Sequence, residues 1–541
     1  MLSFFRRLWE GETDGLSAAA FIVGAASLAS RLVGVLRDRI LASQFGAGNQ
    51  LDAYYAAFRL PDFLYNLIIL GALTAGFIPV FTEYLERKGK EEAMRLGGIM
   101  VSWVGIIMGV FAAALILAAP VIVPWITPGF DPEKMALTIQ LSRIMFLSPL
   151  ILGLSAVMGG ILQSTRRFMP FALAPVLYNI GIIFGALFLA PRFGMPGLAW
   201  GVVIGAFFHF LAQASVVIRM GLRRLPRPTW KHEGVRRIMK LMAPRTVGLA
   251  VTQINLVILL ALASSLPVGS VAVFNLANNL QSFPVGIIGI SFAVAAFPAL
   301  SRAIGVDRKE DFRSALMGAG KKIIFLILPT TALFILLRAQ IVRLILGQGK
   351  FDWDDTIRTA NVLGWFTLSL ATQSLVALLA RAFYAMQNTW TPLWIGAISE
   401  AVNLVFALYF RTLFGITGLA IAFSAASFAQ FILLLIFLRI KFGPLGFSGF
   451  LKSFFKTLAA CAAGVAVAYP LRVLIGTVYP LRTFFQVALQ AGLSTIGGGL
   501  AFILAAWLLR SPELNDVWQA IKRRLWRKAR VQESMDEAQG V

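Results

Sequence analysis

Cysteine is nearly missing from this chain. Cys461 stands alone among 541 residues, so no internal disulfide and no thiolate metal cluster can form. Set among Ala459, Ala460, Ala462 and Ala463, it reads as a small packing residue. Histidine is almost as rare: His209 falls in an apolar stretch and His232 in a basic loop. Neither has ligand spacing around it, so no metal site is expected. No P-loop, Walker-type lysine or nucleotide fingerprint occurs. The run Gly497-Gly498-Gly499 follows a membrane pattern and not a strand. The reading is therefore of a non-enzyme, with no catalytic residues, no metal and no cofactor. Charge is short too, at 14% of residues against 58% hydrophobic, with a mean hydropathy of +0.79. A soluble domain carries about a quarter of its residues charged. Apolar surface on this scale calls for lipid as the solvent.

What the sequence does have is a succession of long apolar stretches. About fourteen can cross roughly 30 Å of hydrocarbon. They lie near 17–44, 54–83, 97–126, 136–164, 169–190, 197–220, 238–265, 270–300, 314–346, 357–386, 391–412, 416–439, 451–475 and 484–509. The alternating ten-residue pattern of a membrane barrel is absent, so the spans are expected to be helices. The first is expected to be an uncleaved span, being too long for a signal-peptide core behind Arg6 and Arg7.

The net charge of +24 resembles a nucleic-acid signal until its placement is examined. With the N-terminus in the cytoplasm, Lys and Arg collect in the cytoplasmic connections. Arg223, Arg224, Arg227, Lys231, Arg236 and Arg237 crowd one of them, and Lys522, Arg523, Arg524, Arg527, Lys528 and Arg530 the tail. The excess is thus mostly topology plus attraction to anionic membrane lipid, and no nucleic-acid partner is expected. An even span count puts both termini in the cytoplasm. Trp518, Ile521, Leu525 and Trp526 share one helical face, which suggests a tail helix lying on the membrane.

The chain also resembles itself at a spacing of roughly 220 residues. Phe193-Gly194-Met195-Pro196-Gly197-Leu198-Ala199 recurs as Phe414-Gly415-Ile416-Thr417-Gly418-Leu419-Ala420, Phe77-Ile78-Pro79 as Ala296-Phe297-Pro298, and Ala174 to Phe188 as Gly396 to Phe410, with Asn179 and Asn403 in the last pair. The expected organisation is an all-α polytopic membrane protein with a six-helix lobe at 1–225 and another at 226–445. Two added helices follow at 446–510, and a basic amphipathic cytoplasmic tail at 511–541. Lobes with an even number of spans keep one orientation, so an axis along the membrane normal relates them, with a cavity where they meet. Gly71, Gly76, Pro284, Gly286 and Gly289 fall inside spans, where small residues allow close packing and bends.

Charge inside a span costs at least ~2.5–3.5 kcal/mol at the bilayer centre, which makes the first span unusual. It holds Arg31 and, further on, Arg37-Asp38-Arg39. Arg31 is the deepest cation, while Arg37 and Arg39 lie nearer the outer end and could snorkel. Arg59 and Asp62 flank Leu60-Pro61 in the second span, and Arg245, Lys321, Lys322, Arg381 and Glu400 lie in later ones. Lys321, Lys322 and Arg381 read as interfacial anchors. A cation-lined cavity suits an anionic substrate, and guanidinium suits phosphate because its fork bonds two oxygens at once. The other reading of Arg37-Asp38 is a buried structural pair; within the substrate reading, Asp38 orients Arg37.

Together these residues resemble the MurJ/MviN family. The resemblance runs through Ser30-Arg31, Gly34, Arg37-Asp38, Phe45-Gly46-Ala47-Gly48, Asp52-Ala53-Tyr54 and Phe58-Arg59-Leu60-Pro61-Asp62. It continues through Gly71-Ala72, Phe77-Ile78-Pro79-Val80-Phe81, Pro128-Gly129-Phe130, Gln281-Ser282-Phe283-Pro284-Val285-Gly286, Phe297-Pro298-Ala299-Leu300-Ser301 and Gly349-Lys350-Phe351-Asp352. It implies the multidrug/oligosaccharidyl-lipid/polysaccharide exporter fold in a bacterial cytoplasmic membrane. It also implies flipping of lipid II, the undecaprenyl-pyrophosphate-linked peptidoglycan precursor, by alternating access driven by membrane potential or a cation gradient. The family's cationic cavity holds the head group, and a groove near the last two helices takes the tail. By position, Arg31, Arg37, Asp38 and Asp52 match the family's charges. Tyr65 and Asn279 stand where it often has arginine, and Leu70 near where it has an acidic residue. The expected substrate-binding set is Arg31, Arg37, Asp38, Asp52, Arg59, Tyr65 and Asn279, with a lipid-linked anionic glycan as partner and cell-wall synthesis proteins as further candidates. Three alternatives stay open: export of another polyprenyl-linked glycan, efflux of a drug cation, which fits basic residues poorly, and a non-transporting scaffold for wall synthesis.

Overall fold

A bilayer core offers the backbone no hydrogen-bonding partner, and the chain meets that constraint with helix. The computed structural model describes residues 9, 11, 16–67, 76–222, 225–306, 308–479, 481, 483–519 and 522. Arg6, Arg7, Leu70, Gly71, Ala72, Arg223, Arg224, the Arg245 side chain and the tail residues Ile521 and Arg523 onward lie outside that description. Every regular element among the described residues is helical. In chain order these are α1 (Leu16–Phe45), α2 (Asn49–Tyr65), α3 (Ile78–Arg87), α4 (Gly89–Ile126), α5 (Pro132–Met145), α6 (Leu147–Ser164) and α7 (Phe168–Phe184). Next come α8 (Ala190–Phe193), α9 (Met195–Arg219), α10 (Glu233–Ser264), α11 (Ser270–Pro284), α12 (Ser291–Gly305), α13 (Lys309–Leu336) and α14 (Arg338–Ile345). The last six are α15 (Trp353–Thr367), α16 (Leu370–Ala385), α17 (Trp390–Phe414), α18 (Ile416–Phe442), α19 (Phe447–Val478) and α20 (Phe484–Leu508).

Ten helical stretches among the described residues are long and apolar enough to cross a membrane. An eleventh arises if α15 and α16, bent by 43° at their break, make one span. The other expected segments fall on α1, on α2 and α3 as far as described, and on α10, whose apolar part is Ala250–Ser264. These are the polar members of the set: α1 carries Arg31, Arg37, Asp38 and Arg39, and α2 carries Asp52, Arg59 and Asp62. Large apolar side chains stand exposed, among them Leu117 at 79% and Trp125 at 81%, as a lipid-facing surface requires. π-helical turns at Gly185–Leu189 and Val285–Ile290 carry two spans past their irregularities. The second places Pro284, Gly286 and Gly289 where a bend needs them.

The repeated motif is repeated in the backbone. Gly194 and Gly415 both adopt positive φ, +65° and +56°, a region open mainly to glycine. Gly197 N–H donates to Gly194 O and Gly418 N–H to Gly415 O, each at 3.0 Å.

Two compact units can be distinguished. The first comprises Met1–Leu280, Ile345–Val362 and Glu400–Ala422. Its core packs Phe77, Phe81, Leu96, Ile161 and Val217, all buried. Here α7, with the π-helical turn that follows it, touches α9 backbone to backbone: a Cβ on Gly185 would lie 2.4 Å from Gly201 Cα, and one on Gly181 2.2 Å from Gly205 Cα. Small residues make such contact possible in lipid. Gly185→Leu should therefore separate the helices, and size-exclusion chromatography in detergent should show loss of the monodisperse species. An unchanged profile would disprove the contact. At the start of α5, Asp131 accepts from Lys134 N–H at 2.9 Å, and this bond holds the Asp131 carboxyl below its ordinary pKa.

The second unit comprises Gln281–Leu344, Leu363–Ser399 and Phe423–Val541. Phe312, Ile323, Leu378, Phe383 and Leu438 form its core. Cys461 packs with Ala460, Phe325 and Phe502 in a smaller cluster, as its alanine-rich setting suggests. The α15–α16 break leaves its polar groups satisfied, since Ser369 donates to Phe366 O through N–H (3.1 Å) and Oγ (2.7 Å). Ser369 O in turn accepts from Gln373 N–H at 2.8 Å.

Candidate substrate site

The first unit gathers its costly charges around α1. Neighbours along a helix do not share a face, so Arg37 must fold back to reach Asp38. It does so with Nε at 3.0 Å and Nη2 at 2.7 Å from Asp38 Oδ1. Nη1 donates to Asn179 Oδ1 on α7 at 2.9 Å, and Asn279 Nδ2 on α11 donates to Asp38 Oδ2 at 2.9 Å. The result is a continuous chain, Asn179–Arg37–Asp38–Asn279, drawn from three helices. Guanidinium has five N–H donors. Three are engaged, so two remain on a side chain that is 22% accessible. Tyr54 and Tyr55 lie within electrostatic range of Arg37, and the buried Tyr55 hydroxyl has no partner among the described residues.

A second cation comes from the next helix. Arg59 Nη2 donates to Asn275 Oδ1 at 3.4 Å, a long bond. Its buried Nε has no partner among the described residues. Asp62 lies within electrostatic range of Arg59 and Arg37. Tyr65 lies within range of Asp62 and packs partly against the core of this unit. Arg37, Asp38 and Asn279 are thus joined directly, with Arg59 beside them and Tyr65 at the edge.

Arg31 and Asp52 stand apart from this group. Arg31 is exposed on α1, six residues and so ~9 Å before Arg37. Asp52 is 2% exposed and both of its oxygens are engaged. It receives Gly269 N–H at 2.7 Å, Ala272 N–H at 2.9 Å and Lys134 Nζ at 3.5 Å. In effect it caps α11 from another helix, satisfying N–H groups that a helix start leaves free. The surrounding turns are tied in the same way. Ala47 N–H donates to Asp355 Oδ2 at 2.9 Å and Lys350 N–H to Ser43 O at 2.8 Å, while a Cβ on Gly269 would stand 1.9 Å from Ala47 O. In this geometry the buried Asp52 carboxylate makes structural bonds through both of its oxygens.

Sequence reasoning did not assign Asn179, Asn275, Tyr54 or Tyr55 to the site. Asn179 left one signal, its place in the internal repeat opposite Asn403. Asn275 precedes Asn279 by one helical turn. Elsewhere in this unit Asn255 Nδ2 donates to Glu400 Oε2 at 2.5 Å, so Glu400 is a hydrogen-bonded, half-buried acid. No group of three or more His, Cys, Asp or Glu fit for a metal occurs among the described residues. A partly used guanidinium beside amides and phenols is equipped to bind an anionic oxygen and neighbouring hydroxyls.

Known proteins resemble this chain over most of its length. The family model described as lipid II flippase MurJ matches residues 41–488. The lipid II flippase MurJ of Burkholderia cenocepacia is 30% identical over 435 residues, covering 78% of this chain and 84% of that protein. The probable lipid II flippase MurJ of Haemophilus influenzae is 32% identical over 464 residues, covering 82% and 90%. Among solved structures, a lipid II flippase MurJ in an inward closed conformation aligns at TM-score 0.75 and 24% identity, over 91% of this chain and 99% of that one. An inward-facing multidrug resistance MATE family transporter of the MOP superfamily aligns at 0.67 and 17%, over 79% and 99%. These two likenesses show the fold, and the sequence matches go further: the chain belongs to the lipid II flippase MurJ family.

Proposed function

We propose that this protein moves lipid II from the cytoplasmic to the outer leaflet by alternating access, binding its pyrophosphate at Arg37 and Arg59. The observation that carries the reading is the pair of unengaged N–H groups on Arg37, held in a fixed direction by Asp38 and Asn179. A fork aimed in this way binds two phosphate oxygens, and its desolvated setting strengthens both bonds. Asn279 and Tyr65 offer hydrogen bonds to the sugar or phosphate edge, and Arg31 a further cation on the path. Asp38 acts by orienting Arg37, and Asp52 by holding the ends of α2 and α11 together. The mirrored turns at Gly194 and Gly415 support the two-lobe organisation, 1–225 and 226–445, on which rocking motion depends. The excess of basic residues between alternate spans supports cytoplasmic termini in a bacterial cytoplasmic membrane.

Complementation tests the proposal. Wild-type protein, expressed in cells depleted of their own lipid II flippase, should restore growth, and purified protein in liposomes should expose fluorescent lipid II to an external reagent. Well-inserted protein that does neither would refute it and favour another polyprenyl-linked glycan or a scaffold.

A further inference from the structure

The second unit carries cations with no acid to answer them. Between Asp311 and Glu513 its residues include no Asp or Glu, yet Arg338 and Arg472 lie half-buried among its helices. Both converge on the last carbonyls of α13. Arg338 Nη1 donates to Ile335 O at 3.0 Å and Arg472 Nη1 to Leu336 O at 2.6 Å. A helix C-terminus leaves such oxygens free and carries about half a negative charge, so the two guanidinium groups are held there but not neutralised. Neither has a carboxylate partner among the described residues. Neighbouring helices fix the arrangement. Gln490 Nε2 on α20 donates to Arg472 O at 2.7 Å, and Gln340 Nε2 on α14 donates to Gln490 Oε1 at 2.9 Å. Gly364 on α15 gives the Arg338 stem room, since a Cβ there would lie 3.0 Å from Arg338 Cδ. The Tyr469 ring centre stands 5.7 Å from the Arg472 guanidinium carbon.

We infer that Arg338 and Arg472 form a binding site for lipid-borne phosphate at this end of α13. A guanidinium has five N–H donors, and each of these two spends one on the protein. The rest suit phosphate oxygens, which the planar fork can bond in pairs. Depth selects a lipid as the source. The 32 residues of α19 make ~48 Å of helix, and Arg472 lies ~9 Å before its end at Val478. Hydrocarbon fills only ~30 Å of that length, leaving ~9 Å at each end of a centred, upright helix. Arg472 therefore stands at the edge of the hydrocarbon, where lipid phosphates begin. Tyr469, one turn deeper, is the amphipathic ring expected at that level. The other reading is that both arginines only cap α13. A cap needs one donor from each side chain, which a neutral amide could supply, so capping explains the two bonds and leaves the two charges without a reason. In the orientation proposed above, this end of α13 faces the outer leaflet, into which cargo is released. The site itself does not rest on translocation.

Photolabelling of the full-length protein in nanodiscs tests this. The probes are phosphatidylglycerol and diacylglycerol, each with a diazirine at the same position near the glycerol. Phosphatidylglycerol should label residues 335–340 and 469–476 about tenfold more than diacylglycerol does, the effect of a charge-assisted bond or two. Arg338→Gln with Arg472→Gln keeps an amide N–H for each α13 carbonyl and removes both charges. Its thermal unfolding should match wild type, while its phosphatidylglycerol label falls about tenfold. Competition separates the sources of the phosphate. Loss of label on adding lipid II would identify the cargo's pyrophosphate as a ligand, and loss with unlabelled phosphatidylglycerol alone would identify bulk lipid; both sustain the site. Equal labelling by the two probes would overturn it and leave the arginines as caps. So would undiminished labelling of a folded double variant. The comparison of probes uses wild type alone, so it decides even where the variant fails to fold. Complementation reports on transport separately, and its failure would leave this site standing.

Discussion

Arg37→Ala should abolish rescue of flippase-depleted cells and weaken lipid II binding by about 10²–10⁴-fold. Hydrogen bonds to charged groups contribute ~1.5–3 kcal/mol each, and the variant removes the two that the free guanidinium donors would make. Every ~1.4 kcal/mol is a factor of ten. The substitution also leaves Asp38, only 8% accessible at its side chain, with Asn279 as its remaining partner of the chain described above. An uncompensated buried charge costs ~3–5 kcal/mol, so the single variant will be less stable as well. Arg37→Ala with Asp38→Asn separates the two effects: the fold should recover while transport stays absent. Lysine at position 37 restores charge without the fork and should recover only part of the affinity. Normal transport by a stable double variant would remove Arg37 from substrate binding and leave it a structural pair.

The second large effect is expected at a residue held in structural bonds. Asp52→Ala strands two backbone N–H groups and the Lys134 ammonium, itself 6% accessible and placed over the Phe130 ring at 4.4 Å. Removing one member of a buried pair costs ~3–5 kcal/mol, and unfolding in detergent should show a loss of that size. Asp52→Asn keeps one acceptor and should lose about half as much. Tail-less pyrophosphoryl sugar should bind the folded fraction with unchanged affinity, because Asp52 is buried and turned to structural partners. A stable Asp52→Ala protein with lowered affinity would return this residue to the binding set.

The two residues show what the sequence could and could not disclose. Arg37 was legible because a cation in an apolar run is expensive and invites a reason. The spans were legible because a lipid solvent leaves the backbone no alternative to helix. Asp52 could not be placed from sequence, because an acid after a glycine turn looks alike whether it meets a ligand or caps α11 more than 200 residues further on. Asn179 and Asn275 stayed hidden for a plainer cause: an uncharged amide barely alters the hydropathy of its span, and only the fold shows which guanidinium it faces.

The pairing of Arg37 with its own neighbour has a consequence for the electrical cost of a cycle. In the alternating-access reading proposed above, cation and counter-ion ride on one helix, so the Arg37–Asp38 pair need not break when the site changes sides. The pair itself carries no net charge through the membrane. On the empty return stroke it contributes nothing to the ~2.3 kcal/mol per charge per 100 mV that the field exacts. Whatever current accompanies turnover at this pair therefore reports the cargo.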